Sequence, residues 1–475
     1  MPTHCNSQPL AFQPLATRKV VANFAGGRLS SDGGALLLGE TEKLTGIINR
    51  FSKCFTDHRD PDLIEHSLEN LLRQRIFGLC LGYEDLNDHD RLRGDALLAT
   101  AVGHRSPCGE ERVRQRDKGY ALAGKSTLNR LELTPADATK KSRYKKIVAN
   151  PNDISHFFVN EFVDANKESP PKRMVLDFDP SDIELYGQQE GRFYHGHYHH
   201  YCYLPMYVFC GEYPLMATLR KADIDGAAGT VEALEWLIPA LRHHWPDTEY
   251  VIRGDGGFAR ESIFKWCEAN DVRYIIGLPK NRRLKDLVAD ELAEAEALLK
   301  ETGEPARVFK DLAYQTQKTW SRSRRVVAKC EQIPGKANPR FVVTDYNSGV
   351  YDAKTLYEQE YCARGEMENR IKEQQLDLFG TRTSSGSMRA NQLRVWLSLV
   401  AHCLMVELRR TGLAGTKLAS AQSATIRTRL LKVAARVRVS VRRVFVEFSS
   451  VFPLQDVMRT AVAQLQAAYI RAAPS

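Results

Sequence analysis

The sequence has few of the features that mark a secreted or membrane-bound protein. Its ten cysteines are scattered singly, without a CxxC pair, and are predicted to be reduced, mostly buried apolar side chains. The longest nearly apolar run, Val395 to Leu408, is interrupted by Ser398 and His402 and is too short and too polar to span a bilayer. The first residues, MPTHCNSQPLAF, lack a basic segment followed by an apolar one, so no signal peptide is expected. We therefore expect a cytoplasmic protein with no membrane partner.

Composition and charge narrow the class of protein. The chain has 475 residues, of which 43% are hydrophobic and 26% charged, and this balance excludes a disordered, collagen-like or disulfide-scaffold protein. Its length suggests about three domains. The net charge of +9 is concentrated near the end, where the residues from Gly380 onward carry 15 Lys and Arg against three acids. A polyanion is an expected partner, most commonly nucleic acid; the alternative is a basic tail that only aids solubility.

The hydrophobic pattern changes along the first half of the chain. Roughly the first 165 residues show mainly helical spacing. From Lys172 onward come three strand-like runs, RMVLDFD, YHHYCYLPMYVFC and ATLRKADI, and then a helix over residues 230–244. The strand EYVIRGD, the helix RESIFKWCEAN and the strand VRYIIGLP follow. Three antiparallel-looking strands before a strand–helix–strand unit predict a mixed α/β sheet.

The second half of the chain interrupts this pattern and then becomes helical. A charged helix from Leu284 to Glu301 leads into short alternating runs, which predict a small antiparallel insertion within residues 281–350. Helical spacing returns over residues 354–378 and 390–410, and a last helix is predicted over 453–471. The run RVRVSVRRVFVEF alternates with period two, which predicts one strand with Arg436, Arg438 and Arg442 on one face.

Acidic residues at the ends of these strands are the first candidates for chemistry. Asp177 and Asp179 share one face of the strand RMVLDFD, and two carboxylates about 6–7 Å apart repel each other unless a positive charge lies between them. Asp255 follows an apolar strand, at the carboxyl end where ligand sites form in α/β sheets. The glycines around it would let a phosphate backbone approach closely.

A third acid lies in the helical run YCARGEMENRIKEQQ. Spacings of three, four, four and three residues predict a single helical face without an aliphatic residue, made of Tyr361, Arg364, Glu368, Lys372 and Gln375. Carboxylate oxygens without His or Cys suit Mg²⁺ or Mn²⁺. Two such ions support phosphodiester chemistry. The alternative is that each acid only ends a strand, begins a turn or pairs with a neighbouring cation.

Taken together, these motifs resemble the DDE transposases of bacterial insertion sequences, and more narrowly their thirteen-eighty group. The resemblance covers nearly the whole chain. It rests on long motifs in the same order: LSSDGGALLLGE, VLDFDPSD, YGQQEGRFYHGHYHHYCYLPMYVFCG, WPDTEYVIRGDGGF, YCARGEMENRIKEQQ and MRANQLRVWLSLVAHCL.

The resemblance implies a fold and a division of the chain. It implies an α/β protein whose RNase H-like mixed-sheet catalytic core has a β-strand insertion before the catalytic Glu, with a mostly helical N-terminal domain and a basic C-terminal region. The implied divisions are 1–165 for the helical DNA-binding region, 166–282 and 353–412 for the two parts of the core, 283–352 for the insertion and 413–475 for the basic region.

The resemblance also implies the site residues. Three catalytic acids would bind two Mg²⁺ ions, or Mn²⁺: Asp179, two residues before Ser181, with Asp177 as the alternative, then Asp255 and Glu368. The family pattern of Tyr, Arg, Glu and Lys is matched by Tyr361, Arg364 and Glu368. Gln375 stands where Lys is expected, and Lys372 is the candidate to supply that charge to a DNA phosphate.

Two further groups of residues are weighed beside the acids. In similar enzymes a Trp of the insertion stacks on a flipped base, and Trp320 with its basic neighbours Arg324 and Arg325 is the candidate here. The alternative is a Trp packed in the core of the insertion. His195, His197, His199 and His200 could suggest zinc, but three of them share one flat strand face, so a DNA-facing or sheet-surface role is preferred.

The expected function is that of a DNA transposase. The resemblance implies that water cuts an element end and frees a 3′-hydroxyl, which attacks either the opposite strand, giving a hairpin, or target DNA. The expected partners are inverted-repeat ends, target DNA and a second copy of the chain in a synaptic dimer, in the bacterial nucleoid. Two alternatives stay open: an Mg²⁺-dependent RNase H-like nuclease without strand transfer, and an inactive DNA-binding protein.

Overall fold

The structure is a computed structural model that describes residues 9–472. Within this range nineteen strands form: β1 (Leu10–Leu15), β2 (Arg18–Ala22), β3 (Arg28–Ser30), β4 (Phe55–Asp57), β5 (Ile147–Ala149), β6 (Arg173–Pro180), β7 (Ile183–Glu184), β8 (Phe193–His195), β9 (His200–Tyr203), β10 (Met206–Cys210), β11 (Tyr213–Thr218), β12 (Glu249–Gly254), β13 (Arg273–Leu278), β14 (Ala306–Tyr314), β15 (Arg324–Ile333), β16 (Lys336–Ala337), β17 (Arg340–Thr344), β18 (Ala435–Val439) and β19 (Val444–Phe448).

The same range contains sixteen α-helices: α1 (Ala35–Thr45), α2 (Ile47–Ser52), α3 (Leu68–Cys80), α4 (His89–Leu92), α5 (Ala96–Val102), α6 (Lys125–Glu132), α7 (Pro151–Asn166), α8 (Thr230–His244), α9 (Glu261–Ala269), α10 (Arg282–Asp286), α11 (Ala289–Thr302), α12 (Ala353–Thr355), α13 (Arg364–Lys372), α14 (Met388–Glu407), α15 (Ser423–Ile426) and α16 (Gln455–Ala472). Wider π-helical turns lie at Leu356–Tyr361, Glu373–Asp377, Leu408–Gly412 and Arg427–Leu431. In the part of the chain that is described, no helix is both long and apolar enough to cross a membrane.

The chain divides into two compact units. The terminal unit takes in the described residues up to 149, residues 377–379 and those from 397 onward, and the sheet unit takes in residues 150–376 and 380–396. The predicted divisions differ from this arrangement, because both ends of the chain fall in one unit and the helix α14 contributes to both.

The sheet unit is built on a large mixed sheet, as predicted. Its main path runs β11-β10-β6-β12-β13-β17-β15-β14, and β16 pairs with β15. The strands β6, β12 and β13 are parallel, and β10 runs antiparallel to both of its neighbours, β6 and β11. Successive residues of the central strands enter two different cores, with Tyr250 and Ile252 on one face and Val251 on the other. Because both faces are covered, these strands read as continuous apolar runs.

Most predicted elements of this unit are confirmed. The predicted strand RMVLDFD is β6, residues 230–244 form α8 without a change of bounds, and the strand–helix–strand unit is β12, α9 and β13. The aromatic run YHHYCYLPMYVFC is two strands, because Leu204 and Pro205 separate β9 from β10. The third strand was predicted too late, since β11 ends at Thr218.

The predicted antiparallel insertion is part of the main sheet. Its strand β17 pairs with β13, placing Val342 opposite Gly277 and Val343 opposite Ile276. Val342 and Val343 point into the two different cores, so this strand needs cover on both faces. A small free-standing insertion could not provide that cover. The charged helix before it is also broken in two, α10 and α11.

The terminal unit has the helices predicted for the first residues, with short hairpins between them. The hairpin β1–β2 forms within the segment predicted to be mainly helical, and the part of that prediction on residues 1–8 lies outside the described residues. The single strand predicted near the end is the hairpin β18–β19, with β18 also paired to β3. Ser440 donates its N–H to the carbonyl of Arg443 at 2.8 Å, so Arg442 lies in the turn and does not share a strand face with Arg436 and Arg438.

Candidate active site

The first two predicted acids lie at the same edge of the sheet. Asp179 is the last residue but one of the strand β6, and Asp255 directly follows the last residue of β12. These strands are parallel neighbours, with Gly254 opposite Phe178. Carboxyl ends of parallel strands meet at one edge, which is where ligand sites form in α/β sheets. The fold therefore brings together two acids that are 76 positions apart in the sequence.

Arg364 connects the third acid to the first. Its Nη1 donates to Oδ1 of Asp179 at 3.1 Å, and its Nη2 bonds Oε1 of Glu368, one helical turn further along α13. The side chains of Arg364 and Asp179 are each only 18% exposed. A half-buried guanidinium thus holds two of the three predicted acids side by side.

The electrostatics of Asp179 show that all three acids influence one another. The pKa of Asp179 is raised to about 7, mainly by burial and also by the carboxylates of Asp255 and Glu368, although Arg364 acts to lower it. Clustered carboxylates disfavour one another's ionisation in this way when no sufficient positive charge lies between them. Arg364 is the cation that contacts two of these acids, Asp179 and Glu368.

Asp255 is fixed by the turn that follows it. Its Oδ1 accepts a hydrogen bond from the N–H of Gly257 at 2.8 Å, which caps a short 3₁₀ turn. Next to it, the hydroxyl of Tyr361 approaches the backbone of Gly277 so closely that an added Cβ would lie 2.5 Å from that oxygen and 2.9 Å from the amide nitrogen of Gly256. Only glycine leaves room for Tyr361 here, beside Asp255.

Asp177, the alternative first acid, has a different partner. It is buried and accepts two hydrogen bonds from Arg253, at 2.6 and 2.8 Å. Arg253 is its direct cross-strand neighbour on β12. This arginine was missed in the sequence, although a basic residue in a buried strand beside a buried acidic one is a usable signal once their register is known. The pairing makes Asp177 a structural residue and leaves Asp179 as the acid at the edge.

The predicted single face of the acidic helix is wrong beyond Lys372. The helix widens to a π-helical turn over Glu373–Asp377, which changes the angle between successive side chains. As a result Lys372 is exposed, whereas Gln375 is buried and its Nε2 donates to Oγ of Ser181 at 3.1 Å. Gln375 therefore supports the loop after Asp179 and does not face the solvent.

The family of the protein is shown by a family model that matches nearly the whole chain. The model of the transposase DDE domain group 1 matches residues 12–470. The chain belongs to this family. No curated protein sequence matches the transposase. A solved structure of a piggyBac transposase synaptic complex with hairpin DNA is similar to it at 12% identity, over 93% of this chain and 82% of that one, with a TM-score of 0.39.

The donor set of the transposase suits a hard divalent cation, although its acids do not converge on one point. In residues 9–472, no group of three or more His, Cys, Asp or Glu side chains is close enough to hold a metal ion. Arg364 occupies the position between two of the acids. Three carboxylates without nitrogen or sulfur donors are nevertheless the ligand type of Mg²⁺ and Mn²⁺. The raised pKa of Asp179 is caused mainly by burial, to which the two other carboxylates add.

The structure removes the basis for three predicted DNA contacts. Trp320 is buried, with edge-to-face contacts to Phe264 at 5.4 Å and Tyr314 at 5.7 Å. Arg324 is buried in ion pairs with Glu261 and Glu268. Arg325 donates to Asp311 at 2.6 Å. Trp320 is thus a core residue, the alternative weighed for it, and both arginines neutralise acids of the transposase itself.

The histidines lie on the hairpin β8–β9. His200 Nε2 and Asp182 Oδ2 are 2.8 Å apart, and among the described residues these histidines form no metal cluster. Between the strands, Tyr198 packs on His195 and His200. Burial and the carboxylates of Asp182, Asp179 and Asp255 raise the pKa of Tyr198 to about 12. Tyr198 is therefore a residue packed among these histidines that no sequence signal indicated.

Proposed function

We propose that this transposase cuts DNA at the ends of an insertion element and joins those ends to target DNA, with Asp179, Asp255 and Glu368 as its catalytic acids. The observation that carries the proposal is the arginine contact that holds Asp179 beside Glu368, at the sheet edge where Asp255 lies. Family membership supports transposition. The acids support a hydrolytic and transesterification mechanism at phosphodiester bonds.

The three acids would hold two Mg²⁺ ions, which Mn²⁺ could replace. When bound, such a pair activates the attacking oxygen and stabilises the leaving oxygen of a phosphodiester. The protein itself keeps Asp179 half-buried beside two other carboxylates. It also fixes Asp255 through a hydrogen bond from the N–H of Gly257. A buried carboxylate of this kind gains more from a nearby cation than an exposed one does.

Arg364, Tyr361 and Lys372 are proposed to contact DNA. Arg364 forms ion pairs with two acids that bound metal ions would also neutralise. We infer that, once the metal ions are bound, its guanidinium turns to a DNA phosphate. Arginine binds phosphate oxygens in a bidentate manner. Lys372 is exposed one helical turn beyond Glu368 and is the cation nearest in sequence to the position where Gln375 replaces the expected lysine.

The sheet supports the inference of an RNase H-like core. Three antiparallel strands, β6, β10 and β11, precede the parallel strands β12 and β13, and the order of these five is β11-β10-β6-β12-β13. This order brings Asp179 and Asp255 to the same edge, because β6 and β12 are neighbouring strands at the centre of the sheet. The partner proposed for the whole chain is inverted-repeat DNA, bound by two copies in a synaptic dimer.

The proposal is tested with DNA that carries the inverted repeats flanking the gene of this protein. Purified protein is incubated with labelled ends and a target plasmid, in Mg²⁺ or in EDTA, and products are resolved on a denaturing gel. Asp255→Asn is compared with Glu304→Gln, which changes an exposed acid in the loop after α11. Each variant removes one negative charge, the first within the proposed site and the second outside it.

We expect Mg²⁺-dependent 3′-hydroxyl ends and joined products with the wild type and Glu304→Gln, and neither with Asp255→Asn. Cleavage without joining would support a nuclease. Binding without cleavage in every metal would support an inactive DNA-binding protein. Cleavage by Asp255→Asn at the wild-type rate would refute the assignment of the acids.

A further inference from the structure

The hairpin β8–β9 exposes an unusual number of aromatic rings. Tyr194 is 49% exposed, Tyr201 41% and Phe193 45%. Tyr186, in the loop before the hairpin, is 85% exposed. Single exposed aromatic residues are common, but several large ones close together mark a binding surface. Tyr194 and Tyr201 lie on one face of the hairpin, whereas Phe193, which precedes Tyr194 in the strand, lies on the other, so we call Tyr194 and Tyr201 the aromatic surface.

The two rings of this surface form a cross-strand pair beside a cation. Tyr194 and Tyr201 are opposite each other in the antiparallel register, with ring centroids 5.5 Å apart. The guanidinium of Arg192 lies 4.2 Å from the centroid of Tyr201. Ring faces and a cation on one exposed strand pair match the two parts of a nucleotide, a flat base and a charged phosphate.

The hairpin also reaches the candidate acids. Its strand β9 pairs with β7, which begins four residues after Asp179. His200 is bonded to Asp182, and the ring of Tyr198 is stacked on His200 at 6.0 Å and 14°. The aromatic surface is therefore continuous, through one short hairpin, with the site at which DNA is proposed to be cut.

We propose that the aromatic surface binds unpaired bases of the DNA strand held at the acids, by stacking them on Tyr194 and Tyr201 beside Arg192. The inference rests on the proposed function, because it assigns DNA as the ligand of the same unit. Bases within a duplex are already stacked on each other and expose mainly their edges, whereas unpaired bases expose faces that aromatic rings can cover. The surface therefore distinguishes single-stranded from double-stranded DNA, without reading sequence.

The test uses full-length protein and a 12-nucleotide thymidine strand with one central 2-aminopurine, whose fluorescence falls when the base stacks. Two double variants are compared. Tyr194→Ala with Tyr201→Ala removes both rings, and Tyr194→Phe with Tyr201→Phe removes only the hydroxyls. Tyr469→Ala is the matched control, because Tyr469 has the same exposed fraction as Tyr201, 41%, on α16. Thermal melting of each variant verifies folding, and the same strand annealed to its complement measures duplex binding.

We expect quenching with the wild type, the phenylalanine variant and Tyr469→Ala. The double alanine variant should bind the single strand roughly 5- to 150-fold more weakly for each stacked base, with duplex affinity unchanged because Arg192 and the other cations remain. An unchanged single-strand affinity would overturn the inference, and so would an equal loss for single strand and duplex. The cleavage assay separates the two proposals: a wild type that quenches but never cuts refutes the proposed function alone.

Discussion

Asp177 and Asp179 lie two residues apart on one strand, and their replacement by asparagine should change stability in opposite directions. Asp179 lies at the edge of the sheet, where burial and two other acids disfavour its ionised form. Asp177 is bonded twice to the buried Arg253. In metal-free buffer, Asp179→Asn should therefore stabilise the protein at pH 8, and Asp177→Asn should destabilise it.

The size of the Asp179 effect follows from its pKa. A carboxyl with a pKa of 3.8 when unfolded and about 7 when folded makes folding less favourable as the pH rises through that window. At about 1.36 kcal/mol for each pH unit, the upper bound is about 4 kcal/mol. Asparagine removes this cost, so its advantage should be absent below about pH 4 and complete above about pH 7.

The Asp177 effect is estimated from its ion pair. Removing one partner of a buried pair leaves the other charge uncompensated, which costs about 3–5 kcal/mol. Urea unfolding of both variants and the wild type at pH 5 and pH 8, in EDTA, measures the free energies of unfolding. The reasoning would be refuted if Asp179→Asn destabilised the protein as much as Asp177→Asn does, or if its effect were the same at both pH values.

Three other perturbations test separate parts of the structure. Arg364→Gln removes the cation that lowers the pKa of Asp179, so the pH at which Mn²⁺ begins to stabilise the protein against heat should move upward, whereas Arg364→Lys should leave it nearly unchanged. Trp320→Ala should cost about 3–5 kcal/mol of unfolding free energy in urea, because it empties a core position, and DNA affinity per folded molecule should not change. Gly277→Ala should displace Tyr361, lowering the melting temperature and DNA cleavage together; an unchanged cleavage rate would show that Tyr361 is not needed where it lies.

The sequence predicted the centre of the sheet well because its signals there are local. An apolar run that ends in an acid or a glycine, as in β6 and β12, needs no knowledge of its neighbours to be recognised as a strand. The helix α8 was equally clear, since its apolar positions repeat at helical spacing and a Trp–Pro–Asp sequence follows it. The same grounds indicated Asp255 and the pair Asp177 and Asp179, whereas the choice of Asp179 within that pair came from the family resemblance.

Pairing and burial were harder, because they depend on residues far apart in the sequence. The bond between Arg253 and Asp177 requires the register of two strands, and the burial of Trp320 requires Phe264, 56 positions earlier. Basic residues around Trp320 indicated a DNA surface, although Arg324 neutralises Glu261 and Glu268. Charge counted along a sequence does not show which charges are already paired.

Two local changes of backbone conformation could not be predicted from the hydrophobic pattern of the sequence. The π-helical turn after Lys372 rotates Gln375 into the interior, although a regular helix would have placed both on one face. The turn at residues 440–443 divides the run RVRVSVRRVFVEF into the two strands of a hairpin. Neither site contains the glycine or proline that usually marks such a change.

The central claim is that Asp179, Asp255 and Glu368 act as ligands of the metal ions that cut DNA. The most direct test is cleavage by Asp255→Cys in Mg²⁺ and in Mn²⁺, with Asp255→Ala as the control. Thiolate is a poor ligand for the hard Mg²⁺ ion, so cleavage should be lost in Mg²⁺ and partly restored in Mn²⁺ for the cysteine variant, with no restoration for the alanine variant. Cleavage by either variant in Mg²⁺ at the wild-type rate would contradict the account.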